Sequence, residues 1–299
     1  MKRPWVAIQR NPTSGTGKRA GLLLELIREL KRHGITPRMF ANRQKMQARL
    51  AEPAAREHLI CVVAAGGDGT VGDVINRYPG LPIAVLPLGT ENLLAKYLKI
   101  QPSGKLVADL IASGSRRKLD IGQLNGRSFT LMASCGFDAN VVHLTHANRR
   151  GHIRKWHYGP PIWNSIWKYE HPPLRIFVDD EPQPRIARLM MAVNLPAYAL
   201  GIPFAPQATG DDGRLDLCLF ERGSTFQMMK YLGHVIAGRH QTLPDVTCLR
   251  ASRVRIEADV AVPWQMDGDP AGFTPVDLRV LSSAFEVFAP YPSNEREGQ

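Results

Sequence analysis

The stretch Leu59-Ile60-Cys61-Val62-Val63-Ala64-Ala65-Gly66-Gly67-Asp68-Gly69-Thr70 decides the fold. Its first seven residues are apolar throughout, as expected of a parallel strand covered on both faces. The run ends in three glycines around one aspartate, and helical spacing follows from Val71. Glycine lets the backbone approach a ligand closely. The first turn of the next helix offers unpaired N–H groups and the positive end of its dipole. Strand, glycine turn and helix N-terminus in that order make an anion site. Asp68 would repel a bare phosphate, but it fits where a magnesium ion lies between phosphate and carboxylate. The competing reading is a tight strand–helix turn with Asp68 as a helix cap.

Outward from this turn the same alternation continues. Trp5 to Ile8 reads as a strand; Leu22, Leu23, Leu26, Ile27 and Leu30 repeat at helical spacing; Gly34 stops that helix; Ile35 to Phe40 is a second strand. Beyond Thr70 come a helix from Val71 to Tyr78, a strand from Ile83 to Leu86 and a short helix from Asn92 to Leu98. Strands alternating with helices predict an open, mostly parallel α/β sheet. Loops after successive parallel strands gather at one edge. The turn carrying Asn11, Pro12, Ser14 and Gly15 and the turn carrying Gly89, Thr90 and Asn92 therefore fall beside Gly66–Thr70 and form a nucleotide cleft. Two rival motifs fail. Gly15-Thr16-Gly17-Lys18-Arg19-Ala20 spells a dinucleotide pattern, but four residues separate it from its strand. A P-loop needs Ser or Thr where Arg19 stands.

Near Asp120 the texture changes to short alternating stretches split by Gly, Pro, Asn and Asp. Arg127 to Ser134, Leu174 to Asp179, Leu189 to Val193, Leu215 to Phe220, Val254 to Glu257, Val276 to Leu281 and Phe285 to Phe288 read as strands of a β-sandwich. Helices interrupt them near Ala139 to Asn148 and Thr225 to Ala237. The expected plan is an α/β nucleotide-binding domain over 1–121 followed by a β-sandwich substrate domain over 122–285.

A chain of 299 residues suits two domains, and 44% apolar with 22% charged residues argues against overall disorder. No apolar run reaches the ~18–20 residues of a spanning helix, and no signal-peptide pattern follows Met1. The expectation is a cytoplasmic chain. Cys61, Cys135, Cys218 and Cys248 have no metal-ligand spacing and read as buried, reduced thiols. The net charge of +11 asks for an anionic partner. Without zinc-finger spacing or an aromatic RNA signature, nucleic acid is not expected.

The turns at Asn11-Pro12-x-Ser14-Gly15, Gly66–Thr70 and Pro87-Leu88-Gly89-Thr90-x-Asn92, with Asp120, Asp211-Asp212-Gly213-x-Leu215-Asp216 and Asp267-Gly268-Asp269, resemble in order and spacing the diacylglycerol and sphingosine lipid kinase family. The resemblance is closest to its bacterial members, whose fold is NAD-kinase-like. It implies transfer of the ATP terminal phosphate to a membrane lipid, with segment 286–299 returning to the first domain. It places ATP and magnesium at Asn11, Pro12, Ser14, Gly15, Gly66, Gly67, Asp68, Gly69, Thr70, Gly89, Thr90 and Asn92, with Asp68 taking part in catalysis. It assigns Asp120 to the acidic network around that metal. Asp212, with the backbone carbonyls of Thr209 and Arg214, would hold a second, structural cation. Asp269 stands at the family's catalytic glutamate and would be the general base; on residues alone, Asp-Gly-Asp-Pro is good turn chemistry and the turn reading is the favoured one.

Four features depart from the family pattern: Asp269 replaces Glu, Gly72 replaces Asn, Leu93 replaces Asp, and the family's nucleotide-contacting Thr after the second strand has no match, Ala41 and Asn42 standing nearest. A lipid substrate implies peripheral contact with the anionic inner face of the membrane. Arg149, Arg150, Arg154, Lys155 and Lys168 beside Trp156, Tyr158, Trp163, Trp167 and Tyr169 form a candidate docking surface over 149–170. Trp163, Ile166 and Trp167 at helical spacing also suit a sandwich core. A homodimer is allowed. The alternatives are a kinase for a soluble hydroxyl substrate, as in NAD kinases, and a nucleotide-binding regulator with weakened catalysis.

Overall fold

The computed structural model describes residues 3–10, 20–40, 42–147, 168–196, 202 and 204–291. The chain divides into two compact units, Met1–Leu119 with Ser283–Gln299, and Asp120–Ser282.

In the first unit β1 (Trp5–Arg10) is followed by α1 (Ala20–Arg32), β2 (Thr36–Phe40), α2 (Arg43–Ala51), α3 (Pro53–Arg56) and β3 (Leu59–Gly66). Next come α4 (Asp68–Arg77), β4 (Ile83–Pro87), α5 (Leu93–Tyr97) and α6 (Gly104–Ser113). The strands lie in the order β2-β1-β3-β4, all parallel. Val62, Val63, Ala64 and Ala65 are wholly buried, which is why β3 reads as an uninterrupted apolar run. Arg10 is in register with Ala65, and Gly66 with Pro87, so β1, β3 and β4 end at one edge of the sheet. α6 starts against α1 because Gly104 has no side chain. A Cβ there would sit 2.3 Å from the Leu22 carbonyl oxygen and 2.4 Å from the Leu26 nitrogen. The chain end closes this unit. Val287 and Phe288 pair in parallel with Ile83 and Ala84, the Ser115 hydroxyl donates to the Ala289 carbonyl at 2.7 Å, and the Arg116 guanidinium stands 4.6 Å over the Phe288 ring.

The second unit takes up the end of β5 (Arg116–Leu124), then β6 (Arg127–Phe129), β7 (Met132–Cys135), α7 (Phe137–Ala147), β8 (Leu174–Val178), β9 (Arg185–Ala187), β10 (Leu189–Val193) and β11 (Leu215–Phe220). It continues with α8 (Thr225–Ile236), β12 (Val246–Ala251), β13 (Arg253–Glu257), β14 (Pro263–Met266), β15 (Asp269–Phe273) and the first part of β16 (Val276–Phe288). One antiparallel sheet runs β12-β11-β10-β7-β14-β15; the facing layer includes β16, β13, β8 and β9. Leu215, Leu217 and Leu219 from the first layer meet Ile176, Val254, Ile256 and Leu278 from the second, around the fully buried Trp264 and Phe129. Alternate residues of each strand face this core, as sandwich packing requires.

Two expectations need correction. Arg127 to Ser134 is two strands, not one. The backbone amides of Thr130, Leu131 and Met132 donate to the Asp267 carboxylate at 2.8, 2.9 and 3.0 Å, and strand pairing is interrupted there. The cysteines are not all buried: Cys248 is exposed on β12, opposite buried Cys218 on β11.

Candidate functional site

The first unit brings two of the three expected turns together. Gly67 precedes α4, and the turn after β4 is drawn onto it. The Leu88 amide donates to the Gly66 carbonyl at 2.9 Å. A Cβ on Gly89 would lie only 2.5 Å from the Gly67 Cα, so this is backbone against backbone. Asn92 has a left-handed backbone (φ 49°) and closes its own turn: its Oδ1 accepts the Gly89 amide at 2.9 Å and its Nδ2 donates to the Gly89 carbonyl at 2.7 Å.

Asp68 links the two turns. Its carboxylate accepts the Leu93 amide at 3.0 Å and the Leu94 amide at 3.2 Å. It therefore caps α5, the helix after the other turn, rather than only α4, which it opens. Burial pushes its carboxyl above the ordinary carboxylate value, while the Leu93 and Leu94 amides pull the other way. Thr70 is 3% exposed, and its hydroxyl oxygen is buried with no hydrogen-bond partner. A Cβ on Gly66 would meet that oxygen at 2.1 Å.

These features fit a nucleotide. The close Gly67–Gly89 contact leaves room for backbone to approach phosphate, the Gly69 amide in the first turn of α4 is a donor that the helix cannot satisfy itself (the Thr70 amide donates to the Gly67 carbonyl at 2.8 Å), and the Thr70 hydroxyl is unsatisfied. Among the described residues no three His, Cys, Asp or Glu side chains cluster to hold a metal. Magnesium suits such a site when phosphate oxygens and water supply most of its ligands. The Asn11, Pro12, Ser14 and Gly15 turn lies outside the described residues, as does most of 149–170.

In the second unit, the Asp267-Gly268-Asp269 hairpin between β14 and β15 is bolted down around one exposed carboxylate. Asp267 (φ 47°) takes the three amides named above and the Thr130 hydroxyl at 3.2 Å. Gly268 has φ 84°, a left-handed conformation that glycine adopts without strain. The Gly268 amide donates to Oε1 of buried Gln265 at 3.0 Å. Gln265 Nε2 in turn donates to the Ser134 hydroxyl at 2.8 Å and to Asp138 at 3.1 Å. Asp269 is left with its side chain 58% exposed, and Nε2 of His146 on α7 stands 3.4 Å from its Oδ1. The same nitrogen is 3.2 Å from the Gly268 carbonyl.

Asp120 is 1% exposed. Its carboxylate accepts the Gly213 amide at 2.6 Å, and its own amide donates to the Gly210 carbonyl at 2.6 Å. Asp120 thus fastens the loop that carries Asp212. Asp212 accepts the Thr209 hydroxyl at 3.0 Å and the Arg214 amide at 2.9 Å, and pairs with the Arg250 guanidinium. Thr209 and Arg214 meet it through hydroxyl and amide, not through carbonyls. A protein cation satisfies Asp212, so the donor set does not fit a second divalent ion, and no role is carried forward for one.

Sequence reasoning missed His146, Gln265 and the anchoring work of Asp267. His146 is 123 residues from Asp269 and reaches it only through the packing of α7 on the β14–β15 hairpin. Asp267 carried a signal, because Asp-Gly favours a left-handed turn, but its partners at Thr130–Met132 carried none.

Residues 6–124 match the diacylglycerol kinase catalytic domain, and residues 132–289 the YegS C-terminal NAD kinase beta sandwich-like domain. The diacylglycerol kinases of Staphylococcus aureus strains MRSA252 and bovine RF122 / ET3-1 are each 28% identical over 289 residues, covering 94% of this chain and 90% of theirs. The crystal structure of a diacylglycerol kinase from Bacillus anthracis str. Sterne superposes with a TM-score of 0.69 at 18% identity over 97% of each chain. Another chain from that organism reaches 0.75 at 20% identity with the same coverage. At those identities the structural likeness is one of fold. With family matches across both units, the chain belongs to the diacylglycerol kinase family and is a lipid kinase.

Proposed function

We propose that the protein transfers the terminal phosphate of ATP to a hydroxyl of a diacylglycerol-like membrane lipid, with magnesium. The observation that carries this reading is the double turn held by Asp68. Two glycine turns touch through backbone, a carboxylate spans them, and the Thr70 hydroxyl is buried without a partner. Gly66, Gly67, Gly69, Thr70, Gly89, Thr90 and Asn92 bind the nucleotide, and the Gly69 amide and Thr70 hydroxyl at the start of α4 orient its phosphates. Bound magnesium neutralises charge on the transferring phosphoryl group. Asp68 holds the two turns in register and offers its remaining lone pairs to the metal or its waters. Asp269 takes the proton of the lipid hydroxyl as that oxygen bonds to phosphorus. His146 positions the Asp269 carboxylate, which is one methylene shorter than the family's glutamate.

Peripheral membrane contact belongs to the same proposal. Among the described residues no helix is long and apolar enough to cross a membrane. α8 buries Met228, Tyr231 and Val235 but leaves Phe226, Met229, Leu232 and Ile236 exposed on a flanking side. The helix carries no acid, and Lys230 and His234 lie on it. An apolar stripe with only basic charge suits an anionic bilayer surface.

The test is transfer of label from ATP into the organic phase with magnesium and mixed lipid vesicles. Wild type transfers label. Asp269→Asn is expected to lose at least about 100-fold, in line with removal of a general base, and His146→Ala to lower kcat with KM for ATP unchanged. Labelling of a water-soluble hydroxyl compound in place of lipid would overturn the substrate assignment.

A further inference from the structure

Cys218 and Cys248 lie directly opposite one another on the antiparallel pair β11–β12, and their sulfurs are 2.9 Å apart. We infer that they form a cross-strand disulfide, with a peroxide as the oxidant. The geometry is already close: a disulfide needs the sulfurs at about 2.05 Å, less than an ångström nearer. The two thiols are unequal. Cys218 is 1% exposed, whereas Cys248 is exposed on β12, the last strand of its sheet. An oxidant therefore meets Cys248 first. Cys218 is its only sulfur neighbour among the described cysteines; Cys61 lies in the first unit and Cys135 on β7.

The hydrogen bond between the sulfurs favours the same order. It pulls the Cys248 thiol below its ordinary range and, with burial, pushes Cys218 well above. Asp216 raises both. The charged group next along that face of β12 is Arg250, in register with Asp216.

The chemistry balances in two steps. The Cys248 thiolate attacks one peroxide oxygen, the O–O bond breaks, and the products are a sulfenic acid and hydroxide. The Cys218 sulfur then attacks the Cys248 sulfur, the S–O bond breaks, and the departing hydroxide takes up the Cys218 proton. The sum is two thiols and one hydrogen peroxide giving one disulfide and two waters, with two electrons passing from sulfur to oxygen.

The bond would join the two strands that frame the Asp212 loop. β11 leaves that loop through Asp216, and β12 presents Arg250 to Asp212. Oxidation would fix the Asp216–Arg250 register and with it the charge that holds Asp212. This inference does not depend on the lipid assigned above.

The experiment treats the full chain with a small excess of hydrogen peroxide, then blocks free thiols, digests and analyses peptides by mass. The expected result is one linked peptide pair containing Cys218 and Cys248, lighter by two hydrogens and released by dithiothreitol. The melting temperature should rise by several degrees after oxidation and return on reduction. Cys248→Ser, at an exposed position that tolerates the change, should abolish both effects. Recovery of Cys248 as a free thiol, as a sulfinic acid beside reduced Cys218, or as an intermolecular Cys248 dimer would each overturn the inference.

Discussion

Gly89→Ala tests whether the contact between the two glycine turns organises nucleotide binding. An added Cβ would stand 2.5 Å from the Gly67 Cα, 3.1 Å from the Gly67 nitrogen and 2.8 Å from Asn92 Oδ1. Ordinary contact begins near 3.4 Å, so the turns must part by 3.4 − 2.5, or about 0.9 Å. Two of the three neighbours are backbone atoms and cannot rotate away. The third accepts the Gly89 amide and would lose that bond by moving. Overpacking of this kind costs about 1–3 kcal/mol, and a misplacement of about 1 Å in a reacting site costs on the order of 100-fold in rate. The expected outcome is a melting temperature lower by several degrees and kcat/KM for ATP reduced by about two orders of magnitude. Gly67→Ala should be milder, because its Cβ meets only the Gly89 Cα at 3.2 Å within tight range. Gly72→Ala has nothing within 4 Å and lies inside α4, so it should stabilise by about 0.5–1 kcal/mol and leave kcat/KM unchanged. Gly89→Ala with wild-type kcat/KM and melting temperature would refute the reasoning.

Asp68 supplies a pH prediction. Burial raises its carboxyl pKa from the ordinary 3.8, so the folded protein holds that proton more tightly than the unfolded chain does. This group's contribution then favours the fold at acid pH and declines as pH rises from 3.8 through the raised folded value. Melting curves of the nucleotide-free protein should show that decline for wild type and a flatter profile for Asp68→Asn; identical profiles would count against the buried, ionisable Asp68. Arg250→Ala leaves Asp212 and Asp216 facing each other without their shared cation. It should cost up to about 1 kcal/mol for a half-exposed pair and make the melting temperature rise on adding magnesium, a response absent from wild type; equal responses in both proteins would show that Arg250 does not fill the cation's place. Replacing Phe226, Met229 and Ile236 together by Ser should weaken co-sedimentation with phosphatidylglycerol vesicles by about tenfold while sparing activity on detergent-dispersed lipid. Unchanged sedimentation, or a shift from dimer to monomer on gel filtration, would reassign the α8 stripe.

The first unit was legible because its signals are local. A seven-residue apolar run bounded by glycines suits a strand buried on both faces better than a helix, and the glycines that follow it mark the turn at which that strand ends. Parallel order then placed the turns after β3 and β4 at one edge without any contact being known. What the sequence could not show was Asp68 reaching across to Leu93 and Leu94, since a carboxylate that caps a neighbouring helix looks the same as one that caps its own. The departure at Leu93 also changes meaning. At that position the backbone amide, not the side chain, meets Asp68, so replacing the family's acid there leaves this link intact.

The second unit was legible in outline and opaque in detail, and the reason is range. Sandwich strands alternate, and alternation survives in the sequence. The bonds from Thr130, Leu131 and Met132 that fix the DGD hairpin span more than 130 residues, and these partners carry no mark in their own neighbours. Asp267 and Asp269 are chemically identical and two residues apart, yet one is consumed by four hydrogen bonds and the other is left exposed beside His146. Only the first can be a turn residue in the ordinary sense, because its carboxylate has no capacity left for chemistry. The turn chemistry of Asp-Gly-Asp rests on Asp267, and the general-base role proposed for Asp269 does not compete with it. A rigid Asp267 also gives Asp269 a fixed base from which a shorter side chain can act, so the loss of one methylene need not mean the loss of a general base.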